Sequence, residues 1–302
     1  MAGAQESVPE ATSLLGRPLY QQEIPGEQRV KLEEALARAR ADFETNPGDA
    51  DAAIWLGRRT AYLGRFRDAL AIFSTGLQNH PDDARLFRHR GHRYITLRIF
   101  NLAVSDLEHA ASLMAKRDDE TEPDGLPNAR NIPTSTLKFN IWYHLGLARY
   151  LQGDFTGARR AYRACLEVST NADMRCATSH WLYMTLRRLG RTGEARSLLK
   201  SIRRDMDVIE NRSYHRLLLM YKGELPADSL LAPGSGDQAA LDDATVGYGV
   251  ANWHLYSGRA AAAESLFRRV VAGPQWPAFG YIAAEAELKR MRTGGRSSGE
   301  RQ

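Results

Sequence analysis

The chain has 302 residues, 43% of them hydrophobic and 25% charged, with 41 Lys+Arg against 36 Asp+Glu for a net charge of +5. That is the make-up of a soluble folded chain with enough apolar material for its own core, and it excludes a collagen-like, largely disordered or disulfide-stapled protein. No stretch approaches the roughly 18 uninterrupted apolar residues that a membrane helix requires.

Only 12 Pro and 25 Gly interrupt a sequence rich in Ala, Leu and Arg, so the composition leans helical. Of the basic residues 35 are Arg and 6 are Lys, and the planar Arg fork suits carboxylates better than the Lys point charge does. Residues 1–26 read as an extended or disordered lead. They contain no basic start followed by an apolar run, so a cytoplasmic setting is the default. Ala2-Gly3-Ala4 ahead of Gln5 resembles a processed cleavage site, which keeps an exported, periplasmic setting open as the alternative.

A helix is expected over residues 27–45, and beyond it the sequence repeats. Gly57 is followed by Ala69, Phe73, Gly76 and Pro81, and at an interval of 34 from Gly57 the next unit opens, with Gly91 followed by Ala103, Leu107 and Ala110. Gly146 opens it again with Ala158, Tyr162 and Cys165, Tyr183 with Ala195, Leu199 and Ile202, and Ala251 with Ala263, Phe267 and Val270. Small residues at these places let two antiparallel helices cross closely. Gly64, Gly153, Gly190 and Gly258 fall where the turn between the two helices needs a positive backbone dihedral, while the second unit has Arg98 there.

The full units span about residues 50–83, 84–115, 139–172, 176–207 and 244–274. Between the second and third lies an acidic, Pro-rich insertion read as a loop over 116–133. The interval from Tyr183 to Ala251 is twice the repeat, so a degenerate unit lies between them. Its first helix covers residues 211–222, and a loop over 225–243 containing Pro226, Pro233 and Gly234-Ser235-Gly236 replaces the second. Pro277 starts a closing helix to about residue 291, and 293–302 reads as a disordered polar tail.

This series resembles the tetratricopeptide repeat, a 34-residue helix–turn–helix, as found in bacterial proteins built of such repeats alone. The resemblance covers most of the chain. It implies an all-α, right-handed solenoid over residues 27–292 as a single domain, with an N-terminal and a C-terminal capping helix, and a concave surface lined by the first helix of each unit. It also implies a non-catalytic adaptor that binds another protein, with no cofactor.

Acidic residues are missing from 52–67, 84–105, 125–153, 174–193 and 244–263, the stretches read as first helices, whereas Arg is frequent there. A groove of one charge sign attracts an anionic partner. Counting to groove-facing places selects Arg58, Tyr62, Arg85, Arg88, His92, Asn140, Tyr143, Tyr150, His180, Arg187, Tyr248 and Asn252 as candidate ligands of an acidic or carboxylate-bearing peptide. Trp55, Trp142, Trp181 and Trp253 read as packing between units. Two alternatives stand beside this reading. One is a metal-binding or enzymatic protein using the central His/Arg/Tyr cluster, with His89, His92, His144 and His180, although no acidic residue accompanies these and no metal site is assigned. The other is polyanion or nucleic-acid binding through residues 85–98. Cys165 and Cys176 are expected as two buried thiols without a bridge.

Overall fold

The computed structural model describes residues 8–231 and 239–299, and the regular structure of the described chain is almost wholly helical. A short antiparallel pair, β1 (Ala11–Thr12) with β2 (Pro18–Leu19), precedes α1 (Gly26–Thr45). The helices then run α2 (Ala50–Tyr62), α3 (Phe66–Asn79), α4 (Ala84–Thr96), α5 (Phe100–Leu113), α6 (Leu137–Gln152), α7 (Phe155–Glu167), α8 (Ala172–Arg188) and α9 (Thr192–Leu198). A 3-10 turn at Leu199–Ser201 follows, then α10 (Arg212–Lys222), α11 (Ala227–Leu230), α12 (Ala239–Tyr256), α13 (Ala260–Ala272) and α14 (Phe279–Gly299). Two compact units divide the chain, one ending at Leu113 and the other starting at Met114.

Local chemistry explains where the helices start. Asp49, Asp83, Thr136, Asp154 and Asn171 each accept a hydrogen bond from a backbone N–H of the first turn they precede, a cap worth about 1 kcal/mol. The small-residue positions explain how the pairs close. A Cβ on Gly91 would lie 2.8 Å from Leu107, one on Gly146 would lie 2.6 Å from Tyr162, and one on Gly57 would run into the Phe73 ring. Ala69, Ala103, Ala158 and Ala263 are fully buried at the matching places.

Several boundaries differ from the sequence reading. Residues 8–25 carry the β1–β2 pair and are anchored to the helices that follow. Gln21 donates to the Leu63 carbonyl, and the Glu10 carboxylate accepts from the Arg67 N–H at the start of α3. In the 176–207 unit the second helix is cut to α9 and one 3-10 turn, and the first begins earlier, at Ala172. The loop drawn over 225–243 is broken by α11, and α12 already begins at Ala239; residues 232–238 lie outside the described chain. Helix α14 continues through residues 293–299 that were read as tail, and 1–7 and 300–302 lie outside the description. The insertion at 116–133 is held down: Asn128 donates to Glu210, Arg130 pairs with Asp207, and Thr134 donates to Glu210.

The longer helices also amend the charge pattern. Asp51, Asp173 and Asp242 belong to the first turns of α2, α8 and α12, where the helix dipole favours a negative charge. Where these first helices carry acid, they carry it near their N-termini only.

Candidate functional site

In the N-terminal unit the basic residues of α2 and α4 gather with aromatic rings. The Arg58 and Arg59 guanidiniums lie over the Trp55 ring at 4.4 and 4.9 Å, and Arg59 also faces Tyr62 at 5.9 Å. Arg58 Nη2 is 3.4 Å from the Tyr62 hydroxyl. Arg88 Nη1 donates to His89 Nδ1 at 2.9 Å, which assigns that ring nitrogen the acceptor role. Arg58 and Arg88 are buried, whereas Trp55, Arg59, Tyr62, His92 and Arg93 are half-buried. Arg93 lies over the Phe66 ring at 5.3 Å. Burial, followed by repulsion from Arg88 and Arg58, pushes its guanidinium down to about 10. Cations from two successive first helices thus crowd one another, which makes this a face of positive potential.

Other arginines of the same helices are spent locally. Arg85 clamps Asp83 and Asp51, and Arg90 forms a bidentate pair with Asp106 at 2.7 and 2.8 Å. The sequence reading named Arg85 as a groove ligand; its donors go to these carboxylates. Arg93 joins the face although it is not among the expected groove ligands; its sequence signal is its place between His92 and Tyr94 on an acid-free helix.

The C-terminal unit places its predicted ligands differently. Helices α6, α8, α10 and α12 pack in succession, but α12 also reaches α8, and α14 touches both α12 and α6, so the first helices close on themselves. Asn140, Tyr143, Tyr150, His180, Tyr248 and Asn252 are consequently buried in one polar-aromatic interior. The Tyr150 and Tyr248 hydroxyls are 2.8 Å apart, and Asn252 Nδ2 donates to Tyr150 at 3.0 Å. Trp181 Nε1 donates to the Tyr143 hydroxyl at 2.9 Å, which donates on to Tyr214 at 3.2 Å. Asn140 donates to Glu122 and Ser135. His180 stacks on Tyr214 and Tyr221, and burial pushes its imidazole down to about 3, so it is neutral. Arg187 is half-buried, 4.4 Å from the Tyr256 ring, and donates to the Tyr183 hydroxyl. Tyr150, Tyr248 and Asn252 thus bond one another, whereas Tyr143 bonds Trp181 and Tyr214, His180 meets the Tyr221 hydroxyl, and Asn140 bonds Glu122 and Ser135.

Of the four tryptophans read as core, Trp181 is buried; Trp55, Trp142 and Trp253 are half-buried, with Arg259 4.2 Å over Trp253. Cys165 and Cys176 are free and buried, both thiols pushed up to about 12 by desolvation. Among the described residues no group of three or more His, Cys, Asp or Glu is placed to hold a metal ion, and no helix is long and apolar enough to cross a membrane.

No protein-family model and no curated protein matches the chain. Among solved structures, it is similar to a tetratricopeptide repeat protein from Parabacteroides merdae ATCC 43184, with a TM-score of 0.51 at 12% identity over 86% of this chain and 94% of that one. It is also similar to YrrB, described as a TPR protein with an unusual peptide-binding site, with a TM-score of 0.44 at 15% identity over 83% and 97% of the two chains. The APC/C hetero-tetramer Cut9–Hcn1 has a TM-score of 0.48 at 16% identity, covering 85% of this chain and 40% of that one. The first of these, at the higher TM-score, matches the fold read from the repeat spacing.

Proposed function

We propose that this chain, a tetratricopeptide-repeat protein by its fold, is a non-catalytic interaction scaffold whose α2–α4 face receives an acidic or carboxylate-bearing segment of another protein. The observation that carries the reading is the convergence of Arg58, Arg88 and Arg93 with Trp55, Tyr62 and Phe66 from consecutive repeats. Guanidiniums crowded in a poorly hydrated place repel one another, and an incoming carboxylate relieves that repulsion while accepting charge-assisted hydrogen bonds. The half-buried Trp55 and Tyr62 rings supply contact area for the apolar part of the same segment. His92 on α4 and Tyr62 on α2, both half-buried, flank the approach. The polar interior of the C-terminal unit serves folding instead, because most of its hydroxyls and amides are bonded within the fold.

A titration of the full chain with fluorescent peptides bearing a free or an amidated C-terminus tests this. Arg93→Gln is expected to weaken binding of the acidic peptide by about 1.5–3 kcal/mol, the range for a hydrogen bond to a charged group, with the melting temperature kept. Unchanged affinity rejects the face as the site. A steep salt dependence with no preference between peptide and nucleic acid favours the polyanion reading.

A further inference from the structure

The resemblance assigns binding to first helices, yet a second concentration of positive charge involves second helices. Residues 155–204 hold eleven basic residues against three acidic ones, a net of +8 in a chain whose total is +5. One of those acids, Asp173, is buried and occupied by backbone N–H groups. On α7, Arg159 and Arg163 stand one turn apart on the same side, with Arg160 beside them, and the turn into α9 brings up Arg191.

These groups are built around a single carboxylate. Arg159 and Arg163 each donate to Glu194 Oε2, at 2.9 and 2.6 Å, and Arg191 donates to Glu194 Oε1 at 2.8 Å. The hydrogen bonds from Arg159 and then Arg191 hold the Glu194 carboxyl down at about 2, so it stays ionised at neutral pH. Three guanidiniums offer about five N–H donors apiece, far more than one carboxylate accepts. The Arg159 Nε donor is itself buried and has no acceptor. Around the cluster Arg160, Arg163, Arg191, Arg196 and Lys200 are exposed.

We propose that this surface, α7 with the start of α9, is a docking site for an acidic polypeptide segment, whose carboxylates take up the donors that Glu194 leaves over. The cluster already presents its donors to a side-chain carboxylate, so the geometry of that group is built in. Single-stranded nucleic acid would need exposed rings on which to stack bases. Helix α7 offers none, since Tyr162 is buried and Phe155 lies half-buried beneath Arg188 and Arg290. The surface shares no residue with the α2–α4 face, and the proposal does not depend on that reading.

Fluorescence anisotropy of the full chain with an end-capped oligoglutamate tests the proposal, because a capped probe lacks the terminal carboxylate. The double variant Arg160→Glu/Arg163→Glu is expected to bind about tenfold or more weakly, and Glu194→Gln, which removes the competing anion, several-fold more tightly. If the double reversal does not fold, Arg160→Gln with Arg196→Gln, both exposed, provides the same readout with a smaller loss. Unchanged affinity in the charge variants overturns the proposal, as does a loss of affinity in folded Glu194→Gln. Tighter binding of a duplex DNA of equal charge, lost in the same variants, also overturns it and assigns the surface to nucleic acid.

Discussion

Arg98 shows how strictly the repeat dictates its backbone. Gly64, Gly153, Gly190 and Gly258 take φ between 70 and 88° in the turn between paired helices, and Arg98 takes 66° at the same place. The turn hydrogen bond explains why. Ile99 N–H donates to the Tyr94 carbonyl at 2.8 Å, just as Asp154 donates to Arg149 and Arg191 to Leu186 in the glycine-bearing turns. Closing that bond requires the left-handed region whatever the side chain, and for a residue with a Cβ the conformation costs about 1–2 kcal/mol. Arg98→Gly should therefore be more stable than Arg98→Ala by about 1 kcal/mol, a comparison that removes the Arg contacts from both sides. Equal urea midpoints for the two variants would contradict this account.

Among the elements, the most altered repeat is the one entered by α8. Its second helix shrinks to α9, and the chain from Ile202 to Asn211 has no helix of its own to satisfy its backbone. Asp173, in the first turn of α8, performs that task. Its carboxylate accepts from the N–H groups of Ile209, Glu210 and Asn211 at 2.8–2.9 Å, which seats the start of α10. Buried N–H groups left without acceptors are costly, so Asp173→Ala should lower stability by about 2–3 kcal/mol and Asp173→Asn by less. Thermal melts decide it. A loss below about 0.5 kcal/mol for Asp173→Ala, no more than an ordinary surface substitution causes, would show that the segment is held by other contacts. Reading α12 as loop up to 243 had a related cause. Asp242 and Asp243 look like loop residues in isolation, but near a helix N-terminus they are favoured by the dipole.

For the molecule as a whole, the decisive feature is the closure of the C-terminal unit by α14. Glu287, 1% exposed, bonds Arg188 of α8 at 2.6 Å and Arg290 at 2.7 Å, while Arg290 also donates to the Leu151 carbonyl of α6. Burial raises the Glu287 pKa, but Arg290 and Arg188 more than offset it, so the carboxyl sits below its ordinary range. A carboxyl lowered by folding stabilises fully above its unfolded value and loses that contribution as pH falls through the folded value. At pH 7 Glu287→Gln should cost about 3–5 kcal/mol, because Arg188 keeps a buried charge with its partner neutralised. Below about pH 4 the gap to the wild type should narrow, as the wild-type carboxyl takes up its proton. Urea midpoints at pH 7 and pH 3 provide the check, and a gap independent of pH would remove the ion pair from the explanation.

The helical pairs were legible in the sequence because close helix crossing imposes a local rule. Gly57, Gly91 and Gly146 must be small where Phe73, Leu107 and Tyr162 press on them, and that demand recurs at the repeat period or a multiple of it, apart from the insertion. The turn glycines were legible for the same reason, since each depends on neighbours close by in the chain. Which first-helix side chains meet solvent did not follow. Tyr150, Tyr248 and Asn252 occupy the same repeat places as surface residues of an open array, and only the contacts of α12 with α8 and of α14 with α6 turn those places inward. Likewise, Glu194 is an ordinary helix-start acid until α7 packs its arginines around it. Period and turn chemistry are short-range, whereas burial depends on how far successive pairs rotate about one another, a quantity summed over many helices and written at no single position.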